Sequence, residues 1–136
     1  MFVEEAMTAH TRTVSPEQSL SDVREIFETE GFRHLPVMGN DGLVGMITHT
    51  DLMRVTYGAH IAEADFEINN LILESTTVEE SMSKNLRIVE PGADLKEVAR
   101  IMRQYKVGCV PVVDDGTLLG LITTTDVLSA YIATST

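Results

Sequence analysis

Two stretches of this sequence decide its fold: Gly45-Met46-Ile47-Thr48-His49-Thr50-Asp51 and Gly120-Leu121-Ile122-Thr123-Thr124-Thr125-Asp126. Each runs glycine, two apolar residues, threonine, two residues, aspartate. Shifting the chain by 75 residues carries the first stretch onto the second. The same shift lays residues 3–53 on 78–128 without a gap, and 18 of the 51 positions are identical. Val14/Val89, Pro16/Pro91, Leu20/Leu95, Val23/Val98, Ile26/Ile101 and Pro36/Pro111 are among the landmarks. A gapless match of that length marks duplication of one structural unit. A unit of about 55 residues buries little surface alone. The two copies are therefore expected to pack as one module with approximate twofold symmetry, with repeat 1 over 1–57, a linker over 58–76 and repeat 2 over 77–136.

The motif also orients the rest of each copy. Before it lie two short apolar runs split by Asn, Asp and Gly, His34–Met38 and Leu43–Ile47 in copy one, Cys109–Val113 and Leu118–Ile122 in copy two. This pattern predicts a hairpin. Pro36 and Pro111 fall inside the first run, which places them at a sheet edge or a bend open to a cleft. Upstream, Ser19 and Asp94 read as helix caps. Leu20, Val23, Ile26 and Phe27 then form one face, as do Leu95, Val98, Ile101, Met102 and Tyr105. Val14-Ser15-Pro16 and Val89-Glu90-Pro91 read as strand ends, because proline bars helix from the residue before it. Short helical turns open each copy at Val3–Met7 and Val78–Met82, and a second helix begins near Thr48 and Thr123. The order is β-α-β-β-α, twice: an α+β fold. The linker, Gly58 to Thr76, has no counterpart in the repeat. Its acidic residues and the spacing of Ile61, Ile68, Leu71 and Ile72 predict an acidic amphipathic helix, whose apolar stripe could pack on the module or on a second subunit.

Composition narrows the partners. The 136 residues carry a formal net charge of −11. That argues against nucleic acid or an anionic membrane surface, since phosphate binding needs a basic face. The longest charge-free runs are ten residues, Gly116 to Thr125 and Val127 to Thr136, against the ~20 a bilayer requires. Met1-Phe2-Val3-Glu4-Glu5 lacks the features of a secretory signal. The single cysteine, Cys109, fits a reducing compartment, and a cytoplasmic location is expected. It reads as a small core residue, with no marked His or Asp partner to make it a nucleophile. Four histidines, His10, His34, His49 and His60, show no metal-ligand spacing, so no metal is expected. With no paired carboxylates in a recognisable motif, nucleophile elbow or P-loop, nothing asks for an enzyme.

Spacing alone leaves two readings of Thr-x-x-Asp open. At a strand-to-helix corner, glycine permits close approach to the backbone and the helix start favours an anion. The threonine hydroxyl can donate to phosphate, and an ionised aspartate accepts from the hydroxyls of a ribose. Equally, Thr-x-x-Asp is a capping box needing no ligand. Arg12 and Arg87 match across the repeat and suit either phosphate or the acidic surface. Arg33, beside His34, is the better phosphate candidate.

Together, Met7-Thr8 and Met82-Ser83, Val-x-Pro, Leu35-Pro36-Val37 and Val110-Pro111-Val112, and both Gly-x-x-Thr-x-x-Asp motifs resemble a tandem CBS domain pair. The opening Phe2–Met7 and His34-Leu35-Pro36 are similar to stand-alone pairs of the acetoin-utilisation regulator type. The resemblance implies two packed βαββα repeats with clefts between them. It implies a regulatory ligand such as AMP, ADP, ATP, NAD or S-adenosylmethionine, with no obligatory cofactor. It assigns phosphate to Thr48 and Thr123 and ribose to Asp51 and Asp126. The base falls to Thr13, Arg33, His34 and Pro36 in one copy and to Ile88, Gly108, Cys109 and Pro111 in the other. The copies differ at 13/88, 33/108 and 34/109, so their ligands need not be the same. A homodimer and an effector protein, identity unknown, are the expected partners. The alternative is a ligand-free dimerisation or interaction module.

Overall fold

Ser19 and Asp94 each start a helix. The Ser19 hydroxyl accepts from the Asp22 N–H at 3.2 Å and the Asp94 carboxylate from the Lys96 N–H at 2.9 Å. In the computed structural model, which describes residues 1–9, 11–57 and 66–134, these caps open α2 (Leu20–Glu30) and α6 (Leu95–Tyr105). Around them lie α1 (Val3–Ala6), β1 (Thr8–Ala9), β2 (His34–Gly39), β3 (Gly42–Thr48) and α3 (His49–Tyr57). Further along come α4 (Phe66–Ser75), α5 (Val78–Ser81), β4 (Cys109–Asp114), β5 (Thr117–Thr123) and α7 (Thr124–Thr134). Helix and strand are mixed as the α+β reading requires. Among the described residues no helix is long and apolar enough to cross a membrane.

The chain forms two compact units, Arg12–Asn85 and Met1–Thr11 with Leu86–Thr136. In the first, α2 buries Leu20, Val23, Ile26 and Phe27 against Leu35, Val37 and Ile47 of the β2–β3 hairpin. The other unit centres on Val98 of α6 with Val110, Val112 and Ile122 of the β4–β5 hairpin. Both hairpins are antiparallel, with a bulge one residue after the proline, at Val37/Met38 and Val112/Val113. Asp115 (φ 48°) and Gly116 (φ 79°) turn the second, the positive-φ pair that an Asp-Gly hairpin favours.

Pro36 and Pro111 are buried and lie in edge strands, β2 and β4. Each outer edge is met by a single parallel bridge, Val14 to Val37 and Val89 to Val112. The expected strand end at Val14 and Val89 is therefore only one residue of pairing in each copy. Val14 N–H donates to Pro36 O at 3.0 Å and Met38 N–H to Val14 O at 2.8 Å. Pro16, without an N–H, follows two residues later and cannot extend the ladder.

The short opening turns do more than expected. α1 docks in the unit of residues 86–136: Val3 N–H donates to Ala93 O at 2.9 Å and Leu95 N–H to Met1 O at 3.0 Å. α5 makes the equivalent contacts in the unit of residues 12–85, Val78 N–H to Gln18 O at 2.8 Å and Leu20 N–H to Thr76 O at 2.9 Å. Val3 and Val78 are fully buried there. Each unit is thus completed by the opening segment of the other sequence repeat.

Two expected faces need correction. Tyr105 is not core: it is exposed, and the Arg87 guanidinium lies 3.8 Å over its ring. Among the described side chains of the linker helix α4, Leu73 is the buried one and joins the core with α2, while Ile68 and Leu71 stay exposed. Ile61, Glu63, Asp65, His10 and His60 lie outside the described residues.

Candidate functional site: two Thr-Asp corners

Both Gly-x-x-Thr-x-x-Asp stretches fold as a strand running into a helix, β3 into α3 and β5 into α7. In the first corner the Thr48 N–H donates to Asp51 Oδ2 at 2.9 Å and the Thr48 hydroxyl to the same oxygen at 3.0 Å. The Asp51 N–H returns to the Thr48 hydroxyl at 3.2 Å. Thr123 and Asp126 repeat all three bonds at the same distances. The capping box is therefore built in both copies, and each threonine hydrogen is already given to the carboxylate. A hydroxyl has one hydrogen, so donating it to a phosphate requires leaving the aspartate.

The helix starts are also partly satisfied. His49 N–H donates to Arg33 O at 3.1 Å and Thr124 N–H to Gly108 O at 3.0 Å. The motif glycines have a structural task. A Cβ on Gly120 would run into Thr8 O, and one on Gly45 into Met82 Sδ. The group approaching each glycine backbone is the segment paired with that strand, Thr8-Ala9 or Ser83.

Hairpin register gathers the remaining candidates at each corner. His34 lies opposite Thr48, and Pro36, whose carbonyl binds Val14 N–H, adjoins Thr13 through it. Cys109 lies opposite Thr123, and Pro111 O accepts from Val89 N–H, next to Ile88. Thr13, Arg33, Ile88 and Gly108 are exposed. The two sets of six each sit within one unit.

Electrostatics separate the corners. Burial, and then the neighbouring Arg33, lower the His34 pKa from its ordinary value. Burial, with Asp126 second, pushes the Cys109 thiol up to about 12, so it stays protonated and unreactive at neutral pH. His49 is exposed, its ring centroid 6.0 Å from that of Phe27. Arg12 pairs with Glu30 at 3.5 Å, the position that Tyr105 fills in copy two beneath Arg87. Among the described residues no group of His, Cys, Asp and Glu gathers as a metal site.

Sequence reasoning passed over two neighbours of the aspartates. Arg54 Nη1 lies 3.3 Å from Asp51 Oδ1. The Thr8 hydroxyl lies 3.4 Å from both oxygens of Asp126. Arg54 was legible as an i,i+3 pair on α3; Thr8 was not, since 118 residues separate it from its partner. A separate, mostly apolar pocket of about 280 Å³ lies in the unit of residues 86–136, lined by Met1, Leu95, Ala99, Val127, Ala130 and Tyr131 among others, and it contains none of the corner residues.

A family model of the CBS domain matches residues 3–58 and again 76–133. The chain belongs to the CBS-domain family. It is a CBS pair. It is 33% identical over 132 residues to the uncharacterized protein MJ1225 of Methanocaldococcus jannaschii, covering 95% of this chain and 46% of that protein. It spans less than half the length of several curated relatives that it matches. Among solved structures, a putative acetoin utilization protein (AcuB) from Vibrio cholerae superposes with a TM-score of 0.79 at 32% identity, covering 98% of this chain and 91% of that one. CBSX2 in complex with AMP superposes with a TM-score of 0.83 at 25% identity, covering 99% of each chain. The CBS pair thus has stand-alone neighbours, one of them described with AMP.

Proposed function

We propose that this CBS pair is a regulatory module that binds an adenosine-containing ligand and passes the event to a partner. AMP, ADP, ATP, NAD and S-adenosylmethionine are the candidates. The observation carrying the reading is the twice-built Thr-Asp corner in a chain of which 99% is covered by its match to an AMP-bound CBS pair. Asp51 and Asp126 take the ribose. Thr48 and Thr123 stand beside the phosphate. Thr13, Arg33, His34 and Pro36, or Ile88, Gly108, Cys109 and Pro111, face the base. His34, kept neutral by burial, offers one donor and one acceptor to a base edge. The ligand signals only through different affinity for two states of the protein.

Output through a homodimer is supported by α7, which leaves Leu128, Tyr131 and Ile132 exposed. Light scattering at micromolar concentration should give twice 15.0 kDa; a monomer removes the dimer from the reading. We place the module in the cytoplasm. The ligand-free interaction module is the second reading, favoured by the capping bonds that satisfy both Thr-Asp pairs without a ligand.

Thermal unfolding with each candidate decides between them. A ligand at 100 times its Kd adds ~2.7 kcal/mol, several degrees in a chain this size. The shift should disappear in Asp51→Ala, Asp126→Ala or the double variant. No shift from nucleotide-free protein selects the interaction module.

A further inference from the structure

The two corners share a capping box but differ in what holds the other side of the carboxylate. Asp51 is buried, and its second oxygen is taken by Arg54, one turn along α3. The position equivalent to Arg54 in copy two is Ser129, and among the described residues Oδ1 of Asp126 meets the neutral Thr8 hydroxyl at 3.4 Å instead of a guanidinium. Arg33 adds a second exposed guanidinium beside the first corner, where copy two has Gly108. Among the described residues an arginine pairs with the aspartate of copy one and none pairs with that of copy two.

We propose that Arg54 is a latch that makes the Asp51 corner select phosphorylated nucleosides over bare ones, a property the Asp126 corner lacks. This rests on the adenosine-ligand reading above. A ribose that takes Asp51 must displace the guanidinium from Oδ1. A bare nucleoside gives the displaced cation nothing in return. A nucleoside phosphate supplies oxygens that suit its planar fork, so ribose and phosphate are recognised together. The Arg54 side chain is 72% exposed, so no packed neighbour stands between it and solvent on its outer side. At the other corner the ribose meets a carboxylate that no cation among the described residues holds, and a phosphate gains no arginine from positions 108 or 129.

Adenosine and AMP binding, measured by calorimetry on the full chain, test this. Asp126→Asn, whose amide oxygen can still cap the helix, isolates the first corner; Asp51→Asn isolates the second. In Asp126→Asn protein AMP should bind at least about tenfold tighter than adenosine, since hydrogen bonds to charged groups carry effects of that size. Adding Arg54→Ser, the residue copy two carries, should weaken AMP about tenfold and tighten adenosine up to about fivefold, the scale of an exposed ion pair. In Asp51→Asn protein the two ligands should bind within a few-fold, and Arg54→Ser should change nothing. An AMP-to-adenosine ratio unmoved by Arg54→Ser in the Asp126→Asn protein overturns the latch while leaving the ligand reading intact. Binding that survives both aspartate variants, or no binding by the wild-type chain, overturns the ligand reading and the latch with it. Circular-dichroism melts of each variant separate a lost fold from a lost contact.

Discussion

His34 and Cys109 occupy one position in the two repeats, and burial acts on them in opposite senses. Each is held in its neutral form, the imidazole by a lowered pKa and the thiol by a raised one. The imidazole has a consequence for stability. Its folded-state pKa lies below the ordinary 6.5, so the unfolded chain binds the proton more readily. The contribution of His34 is complete above about pH 6.5 and declines as the pH falls through and below that value toward the folded-state pKa. The urea midpoint should therefore drop between pH 7.5 and pH 5.5, and drop less in His34→Gln. Equal drops in both proteins would show that His34 is not desolvated as described. The sequence identified this residue as a site candidate but could not show that it is neutral, because that depends on its burial in the folded chain, where it pairs with Thr48 of β3.

At the level of elements, legibility follows the range of the interaction that forms each one. Caps, hairpins and the faces of α2 come from neighbours within a few residues, and Ser19, Asp94, Asp115-Gly116 and Leu20 to Phe27 were readable. The α4 helix was readable as a helix but not as to its buried side. Ile68, Leu71 and Ile72 fit a helical stripe, yet it is Leu73 that packs into the core, at 2% exposure against 63% for Leu71. Arg24 Nη1, donating to Asn70 Oδ1 at 2.7 Å, joins α2 to α4. Which side of an amphipathic helix is covered depends on its partner, and α2 lies some 46 residues earlier. Leu73→Ala should accordingly cost about 2–5 kcal/mol, the range for emptying a buried leucine site, whereas Leu71→Ala should stay within about 0.5 kcal/mol. Guanidinium unfolding checks both; similar losses would mean that the exposed stripe is the packed one.

For the whole molecule, the repeat in the sequence and the compact units in space have different boundaries. The family match divides the chain at residues 3–58 and 76–133, while compactness divides it at 11/12 and 85/86. The reason lies in the opening turns. Val3 belongs to the core with Val98 and Ile122, and Val78 to the core with Leu20 and Leu35. Thr8-Ala9 also supplies the edge pairing of β5. A self-comparison aligns Val3 with Val78 but contains no sign of which core each enters, since both would fit either. This exchange makes the two repeats, taken alone, incomplete. A fragment of residues 1–57 would keep Val3 without its core and lose Leu73 and Val78 from its own. A fragment of residues 12–85 keeps the first core whole and on a continuous chain. At about 74 residues it stands near the lower limit for a self-sufficient domain. It should unfold cooperatively in urea, with a sigmoidal loss of helical signal, while 1–57 should show none. Cooperative unfolding by 1–57 would mean that the sequence repeat, and not the exchanged unit, is what folds.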